Sequence, residues 1–120
     1  MQQALRFGIA GAGNEGRNVA PWVERAPGIE LTAVADVRPE GLEAFRGQYP
    51  EVATFDSVEG MCASGEVDAI WIATPNPFHA EHTIAAARHG VHIVLEKPMA
   101  ISLDEAKQMV EAVEANGVQL

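Results

Sequence analysis

Two stretches of this chain combine residue types and spacing that suit chemistry. The first is Gly11-Ala12-Gly13-Asn14-Glu15-Gly16, a G-x-G-x-x-G run, with an acidic residue, Asp36, 20 positions after Gly16. The second joins Ala73-Thr74-Pro75-Asn76-Pro77-Phe78-His79 to Glu96-Lys97-Pro98. The glycine run fits a strand-to-helix turn that cradles a pyrophosphate. Gly11 makes the tight turn, Gly13 lets the backbone approach the phosphates, and Gly16 lets the helix pack against the strand. The helix N-terminus, starting at Asn14, adds free N–H groups and a partial positive charge. Asp36 is placed to accept hydrogen bonds from ribose hydroxyls.

A glycine run alone is a weak signal in a chain with 11 glycines. The plainer alternative is a strand-to-helix bend with Asp36 capping the next turn. Turn and acid together, at this spacing, favour a dinucleotide site. Asp36 favours NAD over NADP, because a 2′-phosphate would meet a carboxylate. Arg38 leaves three uses open: pairing with a 2′-phosphate, stacking on adenine, or standing in solvent as a surface arginine.

Lys97 suits a proton-handling role. Oxidising an alcohol requires its proton to leave as the hydride departs, and a lysine beside a nicotinamide can take that proton or stabilise the alkoxide. The chain has only one other lysine, Lys107, on the polar side of the last predicted helix. The alternative for Lys97 is an ordinary solvated lysine at a strand end.

The elements that must position these groups alternate along the chain. Near-continuous apolar runs at Leu5 to Ala10, Ile29 to Ala35, Val67 to Ala73 and Val91 to Leu95 read as strands buried on both faces, with a weaker one at Val52 to Phe55. Helices are expected over Asn14 to Ala26, with Pro21 bending or breaking it, over Glu40 to Gln48 and over Ser57 to Ala63. Asn76 reads as an N-cap with Pro77 in the first helical position, for a helix running to His89 and stopping at Gly90. Ser102 and Glu105 form a capping box. They start a helix in which Leu103, Ala106, Val110 and Val113 repeat at helical spacing and which closes at Asn116-Gly117. This β-α alternation predicts an α/β doubly wound parallel sheet, a Rossmann fold in three αβα layers. Both clusters then lie at carboxyl ends of strands, where ligands bind in such sheets.

Composition narrows the partners. With 17 acidic and 8 basic residues the net charge is −9, which repels nucleic acid and anionic membrane surfaces. Cys62 is the only cysteine; it forms no intrachain disulfide and is expected as a small buried residue. The apolar run starting at Leu5 has no preceding basic region and does not read as a signal peptide, and no run nears the roughly 20 apolar residues of a membrane span, so a cytoplasmic location is expected. His79, His82, His89 and His92 do not suggest a metal site. His82 reads as helix surface or packing, and His89 as a cation suited to a helix end. Trp22, Trp71 and Met61 are expected in the core.

The paired motifs A-T-P-N-x-x-H and G-x-H-I-V-x-E-K-P, with the glycine turn, resemble the signature of the glucose–fructose oxidoreductase and inositol dehydrogenase family (Gfo/Idh/MocA) over nearly the whole chain. The resemblance implies an NAD(P)-dependent oxidoreductase acting on a secondary alcohol of a sugar, cyclitol or cyclic diol. It implies that Lys97 is the catalytic lysine and that Glu96 helps seat the nicotinamide end. It also implies that Thr74, Pro75 and Asn76 form the turn beside the cofactor, with His79 part of that motif, and that the Lys97–Pro98 bond is cis. Family members continue into a second α/β domain that supplies an aspartate and a histidine to the site. The chain is accordingly expected to be one NAD(P)-binding domain, 1–120, ending near the start of a sixth strand. That fragment, Val118 to Leu120, is expected to pair across chains in a homo-oligomer. The competing function is a stand-alone NAD(H)-binding module without catalysis, which gives no reason for Glu96-Lys97-Pro98. A Rossmann methyltransferase is disfavoured, since the first strand lacks its usual terminal acid.

Overall fold

The computed structural model describes residues 3–120. Five strands form one all-parallel sheet: β1 (Leu5–Ala10), β2 (Ile29–Ala35), β3 (Ala53–Phe55), β4 (Ala69–Ile72) and β5 (His92–Leu95), in the order β3-β2-β1-β4-β5. The order reverses at β1, so the ends of β1, β2 and β4 open on one crevice, as expected of a doubly wound sheet. The helices are α1 (Asn14–Arg25), α2 (Pro39–Gln48), α3 (Val58–Ala63), α4 (His79–Arg88) and α5 (Leu103–Asn116).

Alternation along the strands sends neighbouring residues to opposite faces, and both faces are covered. Phe7 and Ile9 of β1 pack with Val19, Ala20 and Val23 of α1 and Phe45 of α2. Ala10 points the other way, with Ile70 and Ile72 of β4, Met61 and Cys62 of α3 and Ala86 of α4. The strands are mostly apolar because helices cover both faces of the sheet, with Arg6, Glu30, Thr32 and His92 among the polar exceptions. Burial, and then Glu59, push the Cys62 thiol up to about 12, which leaves an inert packed side chain.

Several elements differ from expectation. Pro21 does not break α1, which is continuous around it. Trp22 is 68% exposed, because the buried stripe of α1 runs through Gly16, Val19, Ala20 and Val23 and passes it by; the Arg25 guanidinium lies over its ring at 5.9 Å. Trp71 is only partly buried, while Met61 is fully enclosed. Asn76 is not an N-cap: Asn76–Phe78 form a 3-10 turn closed by the Phe78 N–H donating to the Pro75 carbonyl, and α4 starts at His79. On α5 the fully buried residue is Met109, whereas Leu103 and Val110 are 71% and 41% exposed. The reason is that α5 packs on α4, which turns its buried stripe toward Met109 and Val113. Ser102 caps α5 as expected, accepting from the Glu105 N–H at 3.2 Å.

The final segment lies along the open edge of β5 in its own chain, where the Ile93 N–H donates to the Gln119 carbonyl at 2.9 Å. That occupies a hydrogen-bonding position expected to be filled across chains. No helix among the described residues is long and apolar enough to cross a membrane, and none of their His, Cys, Asp and Glu groups cluster to hold a metal ion.

Candidate cofactor site

The chain leaves β1 through Gly11, at φ +105°, a conformation side chains rarely adopt. A Cβ there would also lie 2.8 Å from the Ala73 carbonyl oxygen at the end of β4. At Gly16 a Cβ would sit 1.7 Å from the Gly11 carbonyl oxygen, so α1 can approach the turn this closely only with glycine. Gly13 differs: a Cβ there would meet only the Arg38 guanidinium, at 3.2 Å. Its missing side chain leaves space and relieves no internal clash. Gly13 also caps α1 without any side-chain hydrogen bond, so no side chain blocks the helix N-terminus.

Above this turn lies a cavity of about 740 Å³. Of the expected site residues, Gly11, Gly13, Asn14, Asp36, Arg38, Thr74 and Pro75 line it. Gly16 is buried beneath the turn, and Asn76 is exposed on the 3-10 turn outside the lining. His79, expected at the cofactor, is instead buried behind the wall. Its Nδ1 lies 2.8 Å from the Pro98 carbonyl oxygen and its Nε2 2.9 Å from that of Thr74. The imidazole therefore lies between the turn after β4 and the turn after β5, in contact with a carbonyl of each. Glu96 is half-buried and Lys97 exposed at the end of β5, next to β4 but outside the cavity. The Lys97–Pro98 bond is cis.

Asp36 is the most constrained polar group of the site. Its Oδ2 accepts from the Ala12 N–H at 2.8 Å and its Oδ1 from the Arg38 N–H at 2.8 Å. The Arg38 guanidinium forks onto both oxygens, Nε to Oδ1 at 3.2 Å and Nη2 to Oδ2 at 3.1 Å. Burial alone would push this carboxyl up, but the hydrogen bonds from Arg38 and Ala12 outweigh it and hold Asp36 below the usual carboxylate range. A carboxylate has about four acceptor sites, and all four are used. For Asp36 to accept ribose hydroxyls, the Arg38 side chain must withdraw. Arg38 thus has a use that the sequence did not reveal, as partner of Asp36.

Other lining groups also had no clear sequence signal. Ser57, Val58 and Glu59 form one wall, and Phe78, Glu81 and His82 another. His82, expected as surface or packing, bonds through Nδ1 to Thr74 Oγ1 at 2.8 Å. Its only hint was a position three residues after His79 in the motif helix. The cavity carries four carboxylates, Glu15, Asp36, Glu59 and Glu81, against one guanidinium, Arg38. Backbone N–H groups are thus the main donors for an anion. The residues fit a dinucleotide: a long cavity, an uncapped helix N-terminus, open space over Gly13, and a buried carboxylate fixed to the turn by Ala12.

Fold and site define a dinucleotide-binding α/β domain. A family model for the oxidoreductase family with an NAD-binding Rossmann fold (Gfo/Idh/MocA) matches residues 5–120. The chain is 36% identical over 102 residues to scyllo-inositol 2-dehydrogenase (NADP(+)) of Bacillus subtilis, covering 82% of this chain and 31% of that protein. It is 31% identical over 105 residues to 1-carboxy-3-chloro-3,4-dihydroxycyclohexa-1,5-diene dehydrogenase of Comamonas testosteroni, covering 88% and 26%. The WlbA dehydrogenase of Bordetella pertussis, solved with NADH and UDP-GlcNAcA, superimposes with a TM-score of 0.91 at 34% identity, covering 98% of this chain and 35% of that one. The chain belongs to the Gfo/Idh/MocA family and corresponds to its NAD-binding Rossmann part. It spans 26% and 31% of the length of the two curated relatives named here.

Proposed function

We propose that the cavity binds NAD(H) in preference to NADP(H), and that the domain serves an oxidoreductase acting on a secondary alcohol of a sugar, cyclitol or cyclic diol. The observation that carries the cofactor reading is Asp36, a buried carboxylate held below its usual range and anchored to the glycine turn by the Ala12 N–H. A 2′-phosphate placed near it would meet that charge within a cavity already rich in carboxylates. The NADH in the WlbA complex agrees with this choice. The name of the Bacillus relative specifies NADP(+), so both cofactors occur among the relatives.

When bound, the nicotinamide supplies the hydride acceptor or donor. Gly13 and Asn14 bind the phosphates through their backbone N–H groups, Gly11 shapes the turn with its own N–H donated to the Ala35 carbonyl, and Asp36 receives the ribose hydroxyls once Arg38 moves aside. Thr74 and Pro75 line the path of the dinucleotide, with Asn76 on the turn beyond them. Glu96 helps seat the nicotinamide end, and the Lys97 ammonium handles the proton of the substrate hydroxyl at Nζ. The polyol class of substrate rests on the relatives named above. It is tested by following NADH absorbance when the full-length protein meets NAD and a panel of sugars, cyclitols and cyclic cis-diols. Turnover that requires Lys97 and falls within this panel is expected. Turnover that is indifferent to Lys97→Ala would remove the lysine from the chemistry.

A further inference from the structure

Three side chains in the cavity wall are arranged so that each fixes the next. His82, in the first half of α4, is 15% exposed, and its ring stacks on Phe78 with centroids 5.8 Å and planes 20° apart. Its Nδ1 lies 2.8 Å from Thr74 Oγ1, and its Nε2 lies 3.6 Å from Glu81 Oε2. A neutral imidazole carries one N–H. A carboxylate oxygen only accepts, so the charge of Glu81 favours the tautomer with its proton on Nε2. Nδ1 is then bare and accepts the Thr74 O–H. The single Thr74 hydroxyl hydrogen is thereby used, and its oxygen offers only lone pairs to the cavity.

We infer that His82 is a positioning residue that holds the Thr74 hydroxyl as a hydrogen-bond acceptor for an N–H or O–H of the bound dinucleotide, and that protonating His82 reverses this polarity. The inference rests on the dinucleotide reading above. An imidazolium has N–H at both nitrogens. Nδ1 then donates to Thr74, the hydroxyl hydrogen turns outward, and an acceptor becomes a donor. Burial foremost holds His82 below the ordinary histidine value of 6.5, with Glu81 opposing that shift and His79 adding to it. The acceptor state therefore prevails at neutral pH. The charged and titratable groups around the ring are Glu81 and His79 on α4, and, lining the cavity with it, Glu15 on α1, Asp36 and Arg38 after β2, and Glu59 on α3. Asp36 is held below the carboxylate range, so it keeps its charge while His82 titrates.

The test is NAD affinity by calorimetry across about pH 5 to 8, the range in which histidine changes charge. Wild type, His82→Asn, His82→Phe and Thr74→Val are compared. The Asn oxygen can replace Nδ1 as acceptor and does not protonate. Wild-type affinity is expected to fall about 2- to 10-fold on acidification, the worth of one hydrogen bond. His82→Asn should keep the neutral-pH affinity and lose the acid fall. His82→Phe and Thr74→Val should bind weakly and evenly at every pH. A flat wild-type profile, or an undiminished acid fall in His82→Asn, overturns the inference. Nitrogen NMR of the cofactor-free protein gives an independent reading: Nε2 protonated and Nδ1 bare at neutral pH is expected, and the opposite tautomer overturns it. Absence of NAD binding at every pH would instead overturn the cofactor reading itself.

Discussion

At the carboxyl end of β2, every acceptor position of Asp36 is filled and the carboxylate is tied to the glycine turn. At the carboxyl end of β5, Lys97 stands exposed, and among the described residues no hydrogen bond or ion pair holds its ammonium. Both groups sit at the top of the same sheet, yet one is locked and the other bare. On the proposed reading of the site, the difference separates binding from chemistry. Recognition of a dinucleotide uses backbone N–H groups and one fixed carboxylate, all present in this chain. The proton transfer proposed for Lys97 needs a lysine free to meet a substrate, and beside it His79 sits between the Thr74 and Pro98 carbonyls.

This contrast can be broken most visibly at Lys97. In the full-length protein, Lys97→Ala should lower turnover by about 10²–10⁴-fold, the usual worth of a positioned acid–base group, and leave NAD affinity nearly unchanged. A parallel loss of cofactor binding would merge the two halves that the structure separates. Gly16→Ala attacks the other half through packing. With a Cβ 1.7 Å from the Gly11 carbonyl oxygen, α1 must shift, and a stability loss of about 3 kcal/mol is expected together with loss of NAD binding. Chemical denaturation of the variant checks this; an unchanged midpoint would mean that helix and turn are not in fact so close.

Asp36→Ala should weaken NAD binding by about 10-fold or more and relax discrimination against NADP, because hydrogen bonds to a charged group are lost. The same carboxylate gives a pH signature. Its folded pKa lies below the unfolded value of 3.8. Its contribution to stability is therefore complete above that value and disappears as pH falls below it. Acid unfolding curves should lose that component in Asp36→Asn. The smallest effect is expected at the far end of the sheet, where Arg6 and Asp68 pair at 2.9 Å with both side chains solvent-exposed. Arg6→Ala should leave NAD binding untouched and change thermal stability little, as surface pairs do.

The parts legible in the sequence are those fixed locally. Apolar runs gave the strands, because burial on both faces leaves no polar alternation to misread. Gly11, Gly16 and Ser102 were legible because a positive φ, a close helix approach and an N-cap each demand particular residue types. The misplaced elements depend on neighbours distant in sequence. Leu103 and Val110 follow helical periodicity as well as Met109 does, and only the docking of α5 on α4 decides which face is buried. Trp22 is apolar by type but lies off the stripe that meets the sheet. The Arg38 fork onto Asp36 and the His82 bond to Thr74 arise from loop and helix geometry that residue spacing does not encode. His79 belonged to a recognisable motif, but the motif could not show that it lies buried against the Thr74 and Pro98 turns.

The central claim is that this chain by itself forms the NAD-selective half of the site. Calorimetric titration of NAD and NADP into the wild-type chain and into Gly13→Leu tests it most directly. Gly13 is the informative position, since it lines the cavity and a Cβ there meets only the Arg38 guanidinium within 4 Å. The expected result is a folded variant with lost binding, and a wild type that binds NAD more tightly than NADP. Tighter NADP binding by the wild type, or unchanged NAD affinity in Gly13→Leu, would contradict it.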